Sequence, residues 1–332
     1  MLCGMMILLI WLLSGCADAA EPETVSFSAM DTVMSLSVWG GSDSCERIRT
    51  RAQELDKKLS STDENSEIFA LNRDGSADLG ADAASLVRRA LALCVELDGS
   101  FDITVYPAVR AWGFTTGDYA VPDDAVLAAL AEKIDYTAVT MTGDAVALPE
   151  GMMLDLGAVA KGALADEAKA ILREEDASCA VLNLGGTILL YGAKPDGTPF
   201  KVGVADPYSP ASYFGTLTLD EGVVATSGGY ERFFERDGRR YIHILDPATA
   251  QPVENGVLSV TVVCGDGARA DALSTALFVM GAQGAEAYYR NHSGFGYVIL
   301  TDDGTLYITE DLADRFTLGD GYPFQKQIIT KG

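Results

Sequence analysis

The run Leu154-Asp155-Leu156-Gly157-Ala158-Val159-Ala160-Lys161-Gly162-Ala163-Leu164-Ala165-Asp166 combines an apolar segment, a glycine and a lysine. It predicts a strand, a glycine turn and a lysine at a helix start. That junction suits a phosphate-bearing ligand: glycine lets backbone amides approach an anion, the helix points its positive end there, and the lysine adds a full charge. The spacing is not that of a P-loop, because Gly157 and Lys161 are separated by three residues with Gly162 following. An ordinary strand-to-helix connection fits the same residues. A second stretch, Asp271-Ala272-Leu273-Ser274-Thr275-Ala276-Leu277-Phe278-Val279-Met280-Gly281, reads as a helix that puts the oxygens of Asp271 and Thr275 on one face. Hard Mg²⁺ takes such oxygens, one or two carboxylates completed by water and phosphate. The alternative is structural, with Asp271 favourable at the helix start and Thr275 bonding back to a carbonyl. The chain has two histidines. His292 falls in a predicted surface loop, and His243 at the end of a strand, where loops commonly build sites.

The elements around these residues are mixed. Val25 to Trp39 alternates like a strand, while Cys45 to Leu59 and Ala83 to Leu97 have helical spacing, with Gly99 placed as a C-terminal cap. After the Lys161 helix the chain becomes strand-rich, with hairpins marked by Asp237-Gly238 and Asp303-Gly304. Gly113 to Ala145 is the expected boundary between lobes. With 332 residues, 48% hydrophobic, the chain can bury a large core. Its 24 basic and 48 acidic residues leave a net charge of -24, which opposes nucleic-acid binding and adhesion to anionic lipid. Any anionic ligand must be held by local groups against that field. Cys45, Cys94, Cys179 and Cys264 show no metal-ligand spacing and read as buried thiols. Met5 to Leu13 is an apolar run shorter than the roughly 20 residues of a membrane span. Followed by Leu13-Ser14-Gly15-Cys16, it reads as an export signal, with an uncleaved anchor as the alternative.

Together these segments resemble the ApbE family of FAD:protein FMN transferases. The resemblance also covers Met30-Asp31-Thr32, Asn65 to Asn72, Ser100 to Val105, Trp112-Gly113-Phe114, Asn183 to Gly186, Thr226-Ser227-Gly228 and Tyr241 to Pro247. It implies an α+β fold of two closely packed lobes with the FAD and Mg²⁺ site between them, occupying residues 24–332. It implies Mg²⁺-dependent transfer of the FMN half of FAD to a threonine or serine of another protein, an exported or membrane-bound redox subunit, with release of AMP. His243 is then the base. Asp271, Thr275 and the Ala158 carbonyl, with Ser274 beside them, hold the metal. Met30, Ser100, Phe101, Asp102, Asp155, Lys161 and Leu245 fall in FAD-contacting positions. Residues 1–15 become a signal peptide, and lipidation of Cys16, with 16–23 as tether, anchors the enzyme to the outer face of a bacterial membrane. Thr62 stands where many members have an aromatic residue, Gly229 where an acidic one is frequent, and Ala250 replaces a usual glycine. Ala250 argues against positive φ at that turn. Two rival functions remain: FAD hydrolysis to FMN and AMP on the same site, and storage of FAD without chemistry.

Overall fold

A computed structural model describes residues 21–332. The expected signal peptide, most of the expected tether and Cys16 lie outside them. Nine strands form one sheet, and in spatial order they are Glu23–Ala29, Thr32–Trp39, Cys179–Asn183, Thr187–Gly192, Gly222–Gly228, Val257–Cys264, Phe295–Thr301, Thr305–Thr309 and Gln325–Ile329. Neighbours pair antiparallel except at the last edge, where Gln325–Ile329 runs parallel to Thr305–Thr309. Apolar side chains cover both faces of this sheet. Tyr297 and Ile299 join a core with the helices Ser44–Leu59, Ala81–Glu96, Gly157–Glu174 and Gly267–Asn291. The alternate residues Val298 and Leu300 pack with Phe214 and Leu217 of a three-stranded sheet on the other side. A strand buried on both faces needs an unbroken apolar run, and Phe295 to Leu300 supplies one. The mixed α+β architecture expected from the sequence is the one observed. A third, aromatic cluster of Trp112, Phe114, Phe234 and Tyr241 is tied down by the Trp112 indole, which donates to the Ala250 carbonyl at 2.8 Å.

Several local expectations change. Val25 to Trp39 is a hairpin, not one strand, because Met30 and Asp31 both adopt positive φ, 51° and 57°, in a two-residue turn. Leu154 is not in a strand. Asp155 and Leu156 lead straight into the Gly157–Glu174 helix, so Gly157 opens the first helical turn rather than forming a separate one. The second long helix ends with Asp98, φ 48°, in the left-handed position, and the Gly99 amide reaches back to the Cys94 carbonyl at 3.0 Å. Ala250 does hold positive φ, 57°, fully buried, so the turn survives the loss of glycine at the cost of backbone strain. Asp271 lies in the second turn of its helix and not at the start, since Asp266 is the cap and accepts from the Arg269 amide at 2.8 Å. The helix spans Gly267–Asn291 with a kink at Gly281. Cys45, Cys94, Cys179 and Cys264 are buried and unpaired, as expected. His292 is exposed, stacked on Tyr288 at 3.8 Å.

The helices Gly157–Glu174 and Gly267–Asn291 cross in backbone contact. A Cβ on Gly162 would stand 2.0 Å from the Gly267 carbonyl oxygen, and one on Gly267 would stand 2.2 Å from that of Gly162. Each helix also grips the other by a carboxylate. Asp166 accepts from the Gly267 and Ala268 amides at 2.7 and 3.1 Å, capping the second helix from the first. In return Asp271 accepts from the Gly162 amide at 2.8 Å.

Candidate active site

A cavity of about 570 Å³ opens where this helix crossing meets the end of the hairpin Phe233–Arg236 and Arg239–Ile242. The base, FAD-contacting and metal residues expected from the sequence all line it: Met30 from its strained turn; Ser100, Phe101 and Asp102; Asp155, Ala158 and Lys161; His243 and Leu245; Asp271, Ser274 and Thr275. Phe101 and Leu245 are 3% and 5% exposed, so they are as much core as wall. Asp102 is committed locally. It accepts from the Thr104 amide and hydroxyl at 2.8 and 2.7 Å and from the Tyr136 amide at 3.1 Å, which shapes the loop that carries Ser100 and Phe101.

Asp271 is the centre of the polar wall. Its second oxygen accepts from the buried Thr187 hydroxyl at 2.6 Å, so both carboxylate oxygens are fixed by donors. The Gly162 amide that serves its first oxygen would, in a regular helix, close on the Ala158 carbonyl. Ala158 lines the cavity. Ser227 bonds the Ser274 hydroxyl at 2.8 Å and the Thr275 hydroxyl at 3.3 Å, and Ser274 donates to the Asp271 carbonyl at 2.8 Å. Among the described residues no group of three His, Cys, Asp or Glu side chains gathers to hold a metal. The donor set at this wall is one carboxylate, hydroxyls and a main-chain carbonyl, all oxygen, which fits a hard cation that keeps water and phosphate in its shell.

Two cations face the cavity. The Lys161 ammonium touches only the Gly157 carbonyl, at 3.2 Å. Arg232 lines the cavity and gives its carbonyl to His243, accepting from the backbone amide at 3.0 Å and from ring Nδ1 at 3.1 Å. A carbonyl only accepts, so Nδ1 carries the proton and Nε2 keeps its lone pair. Burial, then the positive charge of Arg232, then that of Lys161, push His243 down to about 4, with the Arg232 carbonyl opposing. The imidazole is therefore neutral at pH 7. Burial raises Asp155 above the usual carboxylate range, against the Gly157 amide at 2.7 Å and the charges of Arg232 and Lys161. Glu231 is raised by burial and by Asp271, and lowered by the same two cations.

The sequence pattern of the ApbE family matches residues 30–299. The chain belongs to the ApbE family. A relative from Treponema pallidum, named FAD:protein FMN transferase, is 33% identical over 298 residues, 83% of this chain and 82% of its own. A relative of the same name from Klebsiella pneumoniae is 33% identical over 247 residues, 73% of each chain. The crystal structure of the ApbE protein of Thermotoga maritima superposes with a TM-score of 0.83 at 31% identity, covering 89% of this chain and 99% of that one. The flavin transferase ApbE of Vibrio cholerae gives a TM-score of 0.78 at 26% identity, covering 89% and 99%. Four residues of this ApbE-family cavity wall or its supports escape sequence reading: Thr187, Ser227, Glu231 and Arg232. Only Ser227 stands in a segment that carried the resemblance. The signal for Arg232 was its position beside the Gly228-Gly229 break, eleven residues before His243.

Proposed function

We propose that this chain moves the FMN half of FAD onto a threonine or serine hydroxyl of another protein and releases AMP. The observation that carries the proposal is a neutral histidine with one assigned tautomer in the same cavity as two cations without ion pairs among the described residues and a buried, donor-fixed aspartate. Splitting a pyrophosphate requires charge neutralisation, a placed nucleophile and a proton acceptor. Lys161 and Arg232 supply the first. The Arg232 carbonyl orients the imidazole so that Nε2 takes the proton of the incoming hydroxyl, whose oxygen bonds to the FMN phosphorus as the bond to AMP breaks. Asp271, Thr275 and the Ala158 carbonyl would hold Mg²⁺, which when bound neutralises phosphate oxygens. Thr187 and the Gly162 amide aim the Asp271 carboxylate. Ser100, Phe101, Met30 and Leu245 offer polar and apolar surface to the rest of the dinucleotide.

The deciding experiment incubates the protein with FAD, Mg²⁺ and an acceptor domain of an exported redox protein, then weighs the acceptor and assays FMN and AMP. An acceptor gain of one FMN with AMP release supports transfer. Free FMN without that gain means hydrolysis, and unchanged FAD means storage. His243→Ala is expected to abolish transfer while FAD still binds; undiminished labelling by that variant refutes the role of the base. In the wild-type protein the acid limb of kcat/KM is expected below the ordinary imidazole value of about 6.5, because the folded group takes its proton only near 4. The same depression has a stability consequence. On acidification the unfolded chain binds this proton first, so the contribution of His243 is complete above about pH 6.5 and is lost as the pH falls from there toward 4.

Thr187→Val removes the hydroxyl and keeps the shape. Outer partners of a ligating carboxylate typically contribute about 10–100-fold in metal affinity. The expected result is a rise of that order in the Mg²⁺ concentration giving half-maximal transfer, with saturating turnover little changed. An unaltered Mg²⁺ titration would show that Thr187 does not serve the metal.

A further inference from the structure

The main chain of Arg232 is fully explained by its hold on His243, but its side chain is not. Among the described residues the guanidinium makes no ion pair, whereas Arg51, Arg89 and Arg269 each bind a carboxylate. Arg110, Arg173 and Arg236 also lack an ion pair among the described residues, but of these four arginines only Arg232 lines the cavity. It stands at the cavity wall, and its charge acts there on His243, Asp155 and Glu231. That field disfavours a proton on the imidazole, favours the charged carboxylates of Asp155 and Glu231, and closes no ion pair among the described residues. An anion entering the cavity accounts for it.

We propose that Arg232 is a catalytic residue that grips the oxygens of the FMN phosphoryl group, the one under attack. The inference rests on the transferase reading above and adds a residue to it. The base stands one hydrogen bond from the incoming hydroxyl, and the hydroxyl stands in line with the phosphorus. Arg232, whose carbonyl holds the base, lines the same cavity, and its charge acts on that base. Lys161 lines the same cavity, and its charge acts on His243 as well. As the hydroxyl oxygen bonds to phosphorus, its proton passes to Nε2 of His243. The bond from phosphorus to the bridging oxygen breaks, and its electron pair leaves with AMP. Negative charge on the phosphoryl oxygens is met by the planar guanidinium fork, whose paired donors match two of them.

The test uses the full chain with FAD, Mg²⁺ and the acceptor domain, comparing wild type, Arg232→Gln and Arg232→Lys, with circular dichroism to establish folding. Removing an arginine or one fixed donor from a transition state typically costs about 100-fold or more in turnover. Arg232→Gln is expected to lose that much turnover while FAD affinity, read by flavin fluorescence, changes less than about tenfold; Arg232→Lys recovers part of it. The acid limb of the residual activity is expected to move to higher pH, since a charge that opposes imidazole protonation is gone. A folded Arg232→Gln variant that transfers within about threefold of wild type overturns the proposal and leaves the transferase reading standing. A wild-type protein that releases neither FMN nor AMP overturns both.

Discussion

Asp271→Asn is expected to reduce FMN transfer at least about 100-fold while leaving the protein folded, with thermal unfolding within about 1 kcal/mol of wild type. The two halves of that expectation have separate causes. Asp271 is 6% exposed and accepts from two donors, the Gly162 amide and the Thr187 hydroxyl. Asparagine keeps the shape. Its carbonyl oxygen can take the Gly162 amide, and its amino group can donate to Thr187, whose hydroxyl rotates to accept. What disappears is the negative charge, and losing a desolvated charge offsets the weaker hydrogen bonds. Asp271→Ala differs because it strands both donors in a buried place, at about 1–3 kcal/mol each. Transfer and Mg²⁺ titrations, with calorimetric melts of both variants, separate charge from packing. If Asp271→Asn labels the acceptor at the wild-type rate with the same Mg²⁺ dependence, the carboxylate has no part in the metal site.

Gly162→Ala is expected to be among the most damaging single methyl additions within the described residues. The new Cβ would meet the Gly267 carbonyl oxygen at 2.0 Å, its carbonyl carbon at 2.5 Å and the Ala268 Cα at 2.8 Å. These are backbone atoms, so no side chain can turn aside. The helices must part, and both carboxylate grips, Asp166 on Gly267 and Asp271 on Gly162, stretch with them. Overpacking costs roughly 1–3 kcal/mol and occasionally more. With the two grips added, a loss of about 4 kcal/mol is expected, together with the geometry of Asp271 against Ala158. Gly265→Ala is the control: it has open space and ordinary φ, and is expected within about 0.5 kcal/mol of wild type. Equal unfolding midpoints for the two variants would contradict the close crossing.

The contrast between these sites shows what local sequence carries. The helices were legible because Ile48, Ala52, Leu55 and Leu59 repeat at helical spacing, and the Asp237-Gly238 turn because both residues tolerate positive φ, here 54° and 77°. The Met30-Asp31 turn was hidden. It puts Met30, which rarely adopts left-handed backbone, ahead of the tolerant Asp31, held there by seven paired positions of the flanking strands. Ala250 misled for the same reason, since packing and the Trp112 hydrogen bond impose a conformation its own side chain disfavours. The candidate site was legible where family motifs fall and silent where contacts span the chain. Thr187 reaches Asp271 across 84 positions, and no short-range pattern marks such a pair.

The four buried thiols bear on how this protein reaches its final state. Burial pushes Cys45 up to about 11 and Cys94 up to about 12, so once collapsed the chain offers oxidants almost no thiolate. Before collapse every sulfur is open to cross-linking. Were the chain exported as proposed, its maturation in an oxidising compartment would be a race between collapse and mispairing, and a variant slowed at the helix crossing would accumulate scrambled disulfides.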